Sequence, residues 1–286
     1  MANNAAFALG PAVGGFLATR SYDLAFYGAA TGFVSYSLLL FFLARETLQT
    51  QTVAKISLRS IFAPLKPFYA PFARRVPPSM PSGLAGTKGY GYVFQDRDYM
   101  LFVALTSVGL IAPTMLWILM PVYAKTNYGL SEALYGWIPT TNALMCVFVQ
   151  YAVTSVTRQH RTLPVLSIGM LIYALGAGSV ALMSSFWGFW LSMVTLTFGE
   201  LILVPTASKY VADLAPADMR GRYMSIYWLS WGLSRTLAPL IGGFLNDRIA
   251  PRAIWIGGLL FGLTSTCGLF LLSRLSAPQT TPLTEP

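Results

Sequence analysis

Two stretches decide the reading of this chain: Leu9-Gly10-Pro11-Ala12-Val13-Gly14-Gly15-Phe16-Leu17-Ala18 and Leu237-Ala238-Pro239-Leu240-Ile241-Gly242-Gly243-Phe244-Leu245-Asn246. Six of the ten positions are identical, and an arginine follows each copy at the same distance, Arg20 after the first and Arg248 after the second. Each copy lies in an apolar stretch. A short polar break and a second apolar run follow, residues 24–43 in one case and 253–272 in the other. A two-helix unit therefore occurs twice, far apart in the chain, and a long-range repeat constrains the whole architecture.

Composition sets the solvent. Of 286 residues, 55% are hydrophobic and only 10% are charged. A soluble domain carries about 25% charged residues, so this is a membrane composition. The net charge of +9 does not indicate nucleic acid, because the basic residues sit in breaks between apolar runs rather than along one polar face. Cys146 and Cys267 both fall inside apolar runs and read as buried side chains, not as a disulfide or a metal site. No secretory leader is visible, since no basic residue precedes the first apolar stretch.

A spanning helix needs about 20 mostly apolar residues. Eight such segments are expected, at 2–19, 24–44, 99–123, 132–156, 163–183, 187–211, 223–245 and 253–273. The fold class is thus an all-α integral membrane bundle. Residues 1–45 hold two spans, residues 98–275 hold six, and 276–286 form a tail. Between the two groups lies a long connection, 46–97, which contains Pro64, Pro67, Pro71, Pro77, Pro78 and Pro81 and is read as a linker. Placing that linker in the cytoplasm puts fourteen basic residues on that side, leaves four on the other, and strands Arg235 within a span. The bias matches cytoplasmic loops, and eight spans then leave both termini in the cytoplasm. The expected location is the plasma membrane, with the bilayer as one partner and a small-molecule substrate as another.

The repeat adds a count. Its second copy sits in the last two of six helices, while its first sits in the only two helices before the linker. If six helices form the unit, four are missing ahead of residue 1, and those helices become a further expected partner.

Parallel six-helix bundles joined by a long cytoplasmic linker resemble the major facilitator superfamily. Gly10-Pro11-x-x-Gly14-Gly15 is similar to the antiporter motif of that family's fifth helix, with Ala6 where a further glycine is usual. Ala217-Asp218-Met219-Arg220-Gly221-Arg222, leading into Ala238-Pro239-x-x-Gly242-Gly243, looks like the family pattern before and within helix eleven. The resemblance covers nearly the whole chain as helices five to twelve. It implies efflux or drug–proton antiport by alternating access, driven by an ion gradient, expected to be protons, with no cofactor. The loop Thr157-Arg158-Gln159-His160-Arg161-Thr162 departs from the family's charged loop, keeping the basic residues without the acid or the glycines. A second class of reading, a non-transporting remnant or membrane scaffold, stays open on these residues.

Candidate functional residues follow from depth. Glu200 and Arg235 each lie thirteen residues from the 213–222 loop on successive antiparallel spans. At 1.5 Å per residue both are roughly 20 Å deep. A central charge costs at least about 2.5 kcal/mol, so it needs a partner or an aqueous cavity. Either the two form a structural ion pair, or one or both line a substrate cavity, with Glu200 carrying a proton or countering a cationic substrate. Asn142, Gln150, Tyr227 and Trp231 lie at similar depth as candidate substrate or coupling residues. Gly10, Pro11, Gly14 and Gly15, with Pro239, Gly242 and Gly243, are expected to give kinked, closely packed helices that gate or seal the path. No catalytic constellation and no metal cluster is apparent: His160 is the sole histidine, and no hydrolase, zinc or phosphate-loop motif occurs.

Overall fold

The computed structural model describes residues 10, 13, 14, 16, 17, 20–43 and 89–275. Among these residues there is no β-strand. The helices are α1 (Tyr22–Leu43), α2 (Tyr90–Gln95), α3 (Arg97–Gly109), α4 (Ile111–Tyr128), α5 (Glu132–Phe148), α6 (Gln150–Thr157), α7 (Thr162–Ser179), α8 (Phe186–Leu214), α9 (Arg220–Arg248) and α10 (Ala253–Leu275). A 3-10 turn, Val180–Leu182, prolongs α7. Most of the expected first span and of the proline-rich connection lies outside the described residues. The last part of that connection is not irregular, since α2 forms there.

Among the described residues, five segments are long and apolar enough to cross a membrane: Tyr22–Leu43, Arg97–Tyr128, Thr162–Leu182, Phe186–Leu214 and Ala253–Leu275. The expected span at 99–123 is in fact two helices end to end. Pro113 has no N–H to give to Gly109 O, and the break falls at Leu110 between α3 and α4. The expected span at 132–156 likewise divides at Val149 into α5 and α6. The span at 223–245 lengthens to the 29-residue α9, whose serines and arginines dilute its hydropathy.

Local chemistry sets the ends. Asp96 caps α3 by accepting from Tyr99 N at 3.1 Å. Gly129, at φ 65°, turns the chain out of α4 in the left-handed conformation, and its N–H returns to Lys125 O at 3.0 Å. Ser131 then starts α5 by accepting from Leu134 N at 3.4 Å.

Helix α7 packs extensively against α8 on one side and α10 on the other. Glycines make the approach to α8 possible. A Cβ at Gly176 would stand 2.6 Å from the Leu196 backbone, and one at Gly199 would stand 2.7 Å from Tyr173 N. On the α10 side a Cβ at Gly262 would press on Ala174, while one at Gly258 of the same helix would touch Ala112 Cα of α4 at 3.6 Å. Between apolar helices in lipid, such close backbone contact supplies the attraction that water supplies elsewhere. Helix α1 stands apart, with no buried residue. Its Tyr22 hydroxyl donates to Glu132 Oε1 at 2.6 Å and accepts from Lys125 Nζ at 3.2 Å, beside the Lys125–Glu132 ion pair.

One polar contact repairs the backbone inside the bundle. Pro205 within α8 cannot donate to Leu201 O, which lies one turn back. Gln150, the first residue of α6, donates its Nε2 to that carbonyl at 3.0 Å and to Thr154 Oγ1 at 2.8 Å. A backbone carbonyl with no partner in hydrocarbon costs several kcal/mol, so the amide fixes where α6 meets α8.

Two stability predictions follow from these contacts. Gly199→Leu should destabilise the detergent-solubilised protein by about 1–3 kcal/mol through overpacking, whereas Gly243→Ala, where nothing lies within 4 Å, should not lower its melting temperature, since alanine is the better helix former. Gln150→Leu should cost about 1–3 kcal/mol by orphaning Leu201 O. Thermal melts followed by circular dichroism check both.

Candidate functional site

The site grows from one carboxyl. Glu200 sits midway along α8, next to the glycine that lets α7 come close, and is only partly accessible. Its Oε2 accepts from Asn142 Nδ2 of α5 at 2.8 Å. The same amide lies 2.9 Å from Thr197 Oγ1, and Thr197 passes its own proton to Met193 O at 2.8 Å. The side-chain donor that holds Glu200, the Asn142 amide, is therefore neutral. Asn142 is 5% exposed, so the amide that holds the carboxyl is itself enclosed. A second link nearby, Trp190 Nε1 to Thr141 Oγ1 at 2.9 Å, ties α8 to α5 again.

Arg235 is elsewhere. No ion pair joins it to Glu200 among the described residues, and this removes the structural-pair reading of the two charges. They share a depth but not a direction. On α9, Tyr227, Ser230 and Ser234 turn into the bundle and are buried, whereas Trp228, Leu229, Gly232, Leu233, Arg235 and Thr236 are exposed. The buried side meets α3: Ser234 Oγ lies 2.8 Å from Ser107 O and 2.8 Å from Ser230 O, one hydroxyl proton shared by two acceptors. Around it, Thr106 Oγ1 and Ser230 Oγ are buried with no hydrogen-bond partner among the described residues. Phe102 stacks on Tyr227 at 6.2 Å between ring centroids. Trp231 is half-buried, and its ring lies 6.5 Å from that of Trp228, giving the exposed face beside Arg235 an aromatic border.

The candidate polar residues thus divide into two groups. Asn142 joins Glu200, and Gln150 serves the backbone of α8 one turn nearer the 157–162 loop. Tyr227 and Trp231 belong to α9, on its inner side and its margin. The glycine motif divides as well. Gly242 packs closely, since a Cβ there would run into Leu119 of α4. At Gly243, Gly10 and Gly14 nothing stands within 4 Å. The close approach expected at these three is therefore absent among the described residues, because the outward side of α9 and the first copy of the motif have no neighbour there. Pro239 is partly buried within α9. Pro11 and Gly15 lie outside the described residues. Sequence reasoning missed Thr197, Gly199 and Gly176. Thr197 carried a signal, since it precedes Glu200 by one turn on the same face of α8.

The chemistry available is that of a buried, amide-held carboxyl and a separate cation on an exposed helix face. No group of three or more His, Cys, Asp or Glu that could hold a metal occurs among the described residues.

Comparison with known proteins places this geometry. A 26% identical match over 195 residues links the chain to a Na(+), Li(+), K(+)/H(+) antiporter of Planococcus maritimus, covering 63% of this chain and 43% of that protein. The uncharacterized MFS-type transporter YttB of Bacillus subtilis is 25% identical over 279 residues, 96% of this chain and 62% of its own length. A shorter match, 31% identical over 124 residues, is to the multidrug resistance protein MdtH of Cronobacter sakazakii, covering 43% of this chain and 31% of that protein. The chain spans roughly half the length of the curated relatives it matches most fully. The family model for the Major Facilitator Superfamily matches residues 1–239 and again 99–286. This chain is a multi-pass membrane protein and belongs to the Major Facilitator Superfamily.

Proposed function

We propose that this protein works as a secondary active antiporter that moves small molecules outward across the plasma membrane against an inward flow of protons. The observation that carries the reading is the environment of Glu200: a carboxyl deep in the bundle, held by a neutral amide, with no cation bound to it among the described residues. Such a group can cross between its charged and neutral forms without breaking an ion pair. Intramembrane carboxyls of this kind are functional candidates by default. Proton binding and the binding of a cationic cargo then compete for one group, and this competition couples the two flows. The named activities of the matched antiporter and of the multidrug resistance protein support antiport and broad cargo.

Arg235 supports a second part of the reading. A cation facing lipid at mid-depth would cost at least about 2.5 kcal/mol. The face of α9 that carries Arg235, Trp228 and the margin of Trp231 therefore borders the aqueous transport path rather than lipid. Alternating access would open that path to each side in turn, by rocking of the 98–275 bundle against the helices of the first. The excess of basic residues in the 46–97 connection and in the 157–162 and 209–222 region supports a cytoplasmic placement of these segments and of both termini.

The test is proton-dependent transport in everted vesicles, with Na+, Li+ and K+ and a lipophilic cationic dye as cargoes. Glu200→Gln should abolish the response to an imposed pH gradient and lower uptake at least tenfold, with expression unchanged. Unchanged transport with an unchanged pH profile would remove Glu200 from the mechanism.

A further inference from the structure

A groove opens on the outside of the bundle where α6 ends and α7 begins, against α8 at Ile202. It has a volume of about 420 Å³ and is lined by Val156, His160, Arg161, Pro164, Ile168 and Ile202, among others. Its floor is apolar: Val165 is buried there, while Val156 and Ile168 are each more than half exposed. Below it the apolar surface continues along α7, because Ile168, Leu175 and Leu182 are all exposed and recur every seventh residue. Two helical turns separate neighbours in that row, so the row runs down one face for roughly 20 Å.

The rim has the opposite character. Arg158 and Arg161 are exposed in the loop that joins α6 to α7. Lys209 is exposed on α8 and stands seven residues past Ile202, on the same face and toward the same end. No acidic residue lines the groove. Of these cations Arg161 lines the groove itself, beside His160, while Arg158 and Lys209 are exposed beyond its lining on the loop and on α8. A water-soluble anion would use the rim and leave the floor empty. A zwitterionic lipid would use the floor and gain little from three positive charges.

We infer that this groove is a binding site for an anionic phospholipid, whose phosphate headgroup sits between Arg158, Arg161 and Lys209 while one acyl chain lies along Val165, Ile168 and Ile202. Basic pockets between transmembrane helices recognise anionic headgroups by this division of labour. The site is separate from Glu200 and Arg235, and it does not depend on the transport reading.

The experiment measures lipid retained by the purified protein in native mass spectrometry after incubation with mixed vesicles of phosphatidylglycerol and phosphatidylcholine. The wild type should retain phosphatidylglycerol at least tenfold over phosphatidylcholine, and its melting temperature should rise with the former only. Arg158→Gln/Arg161→Gln should cut the preference by about fivefold for each arginine removed, while Arg158→Lys/Arg161→Lys should keep it. Ile168→Trp, which fills the apolar floor, should lower retention of both lipids. Glycerol phosphate, the headgroup without chains, should not shift the melt. Equal retention of the two lipids by the wild type, a preference that survives the double glutamine variant, or an equal shift by glycerol phosphate would each overturn the assignment. The double variant alters exposed residues only, and an unchanged helical spectrum confirms its fold.

Discussion

A hydrocarbon surrounding offers no water to satisfy a polar group, and this constraint governs the bundle. Every helix must answer for its own backbone, and a buried polar side chain gains by finding a partner, either on its own helix, as Thr197 does, or on another. Gln150 answers for the carbonyl that Pro205 leaves open. Asn142 answers for Glu200, and Ser234 reaches across to the backbone of α3 beside the break that Pro113 makes. The kinks that give the bundle its shape are thus the places where side chains from neighbouring helices are called in. Two of those contacts fix α5 and α6 on α8 around the carboxyl, and the third fixes α9 on α3.

Glycine provides the second half of the arrangement. Gly176 and Gly199 let α7 and α8 meet backbone to backbone, and Glu200 is the next residue along. A larger residue at either position would lift α8 away from α7 and shift the carboxyl from its amide. Close packing and site geometry are therefore one feature. The repeated motif contributes less packing than its spelling suggests. Of its described glycines Gly242 alone is pressed, and Gly243 looks outward, on a helix whose exposed side carries Arg235 and two tryptophans.

Much of this was legible in the sequence and some was not, for reasons that are physical. Apolar runs about a bilayer thick announce spanning helices, so the helical class and the family resemblance could be read directly, while the division of two of the expected spans could not. Depth could be read too, because residues count off distance along a helix. Direction around the helix axis could not. Glu200 and Arg235 share a depth and looked like partners, yet consecutive positions on a helix point about 100° apart, and Ser234 is buried where Arg235 is exposed. The true neighbour of Glu200 is Asn142, 58 residues away on another helix, and no local pattern encodes that pairing. Gly199 was equally silent, since a single glycine in an apolar run has no spacing to mark it. The interior breaks at Leu110 and Val149 were not read at all, because each expected span is a continuous apolar run.

The central claim is that Glu200 and Asn142 act as one unit and that Arg235 acts apart from them. A double-mutant cycle on proton-linked transport tests this directly, using Glu200→Gln, Asn142→Leu and Arg235→Gln singly and in pairs. The account predicts strong non-additivity for the Glu200 and Asn142 pair, the double variant being no worse than Glu200→Gln alone, with the effects of Glu200→Gln and Arg235→Gln multiplying independently. Additive effects for Glu200 with Asn142, together with coupling between Glu200 and Arg235, would contradict it.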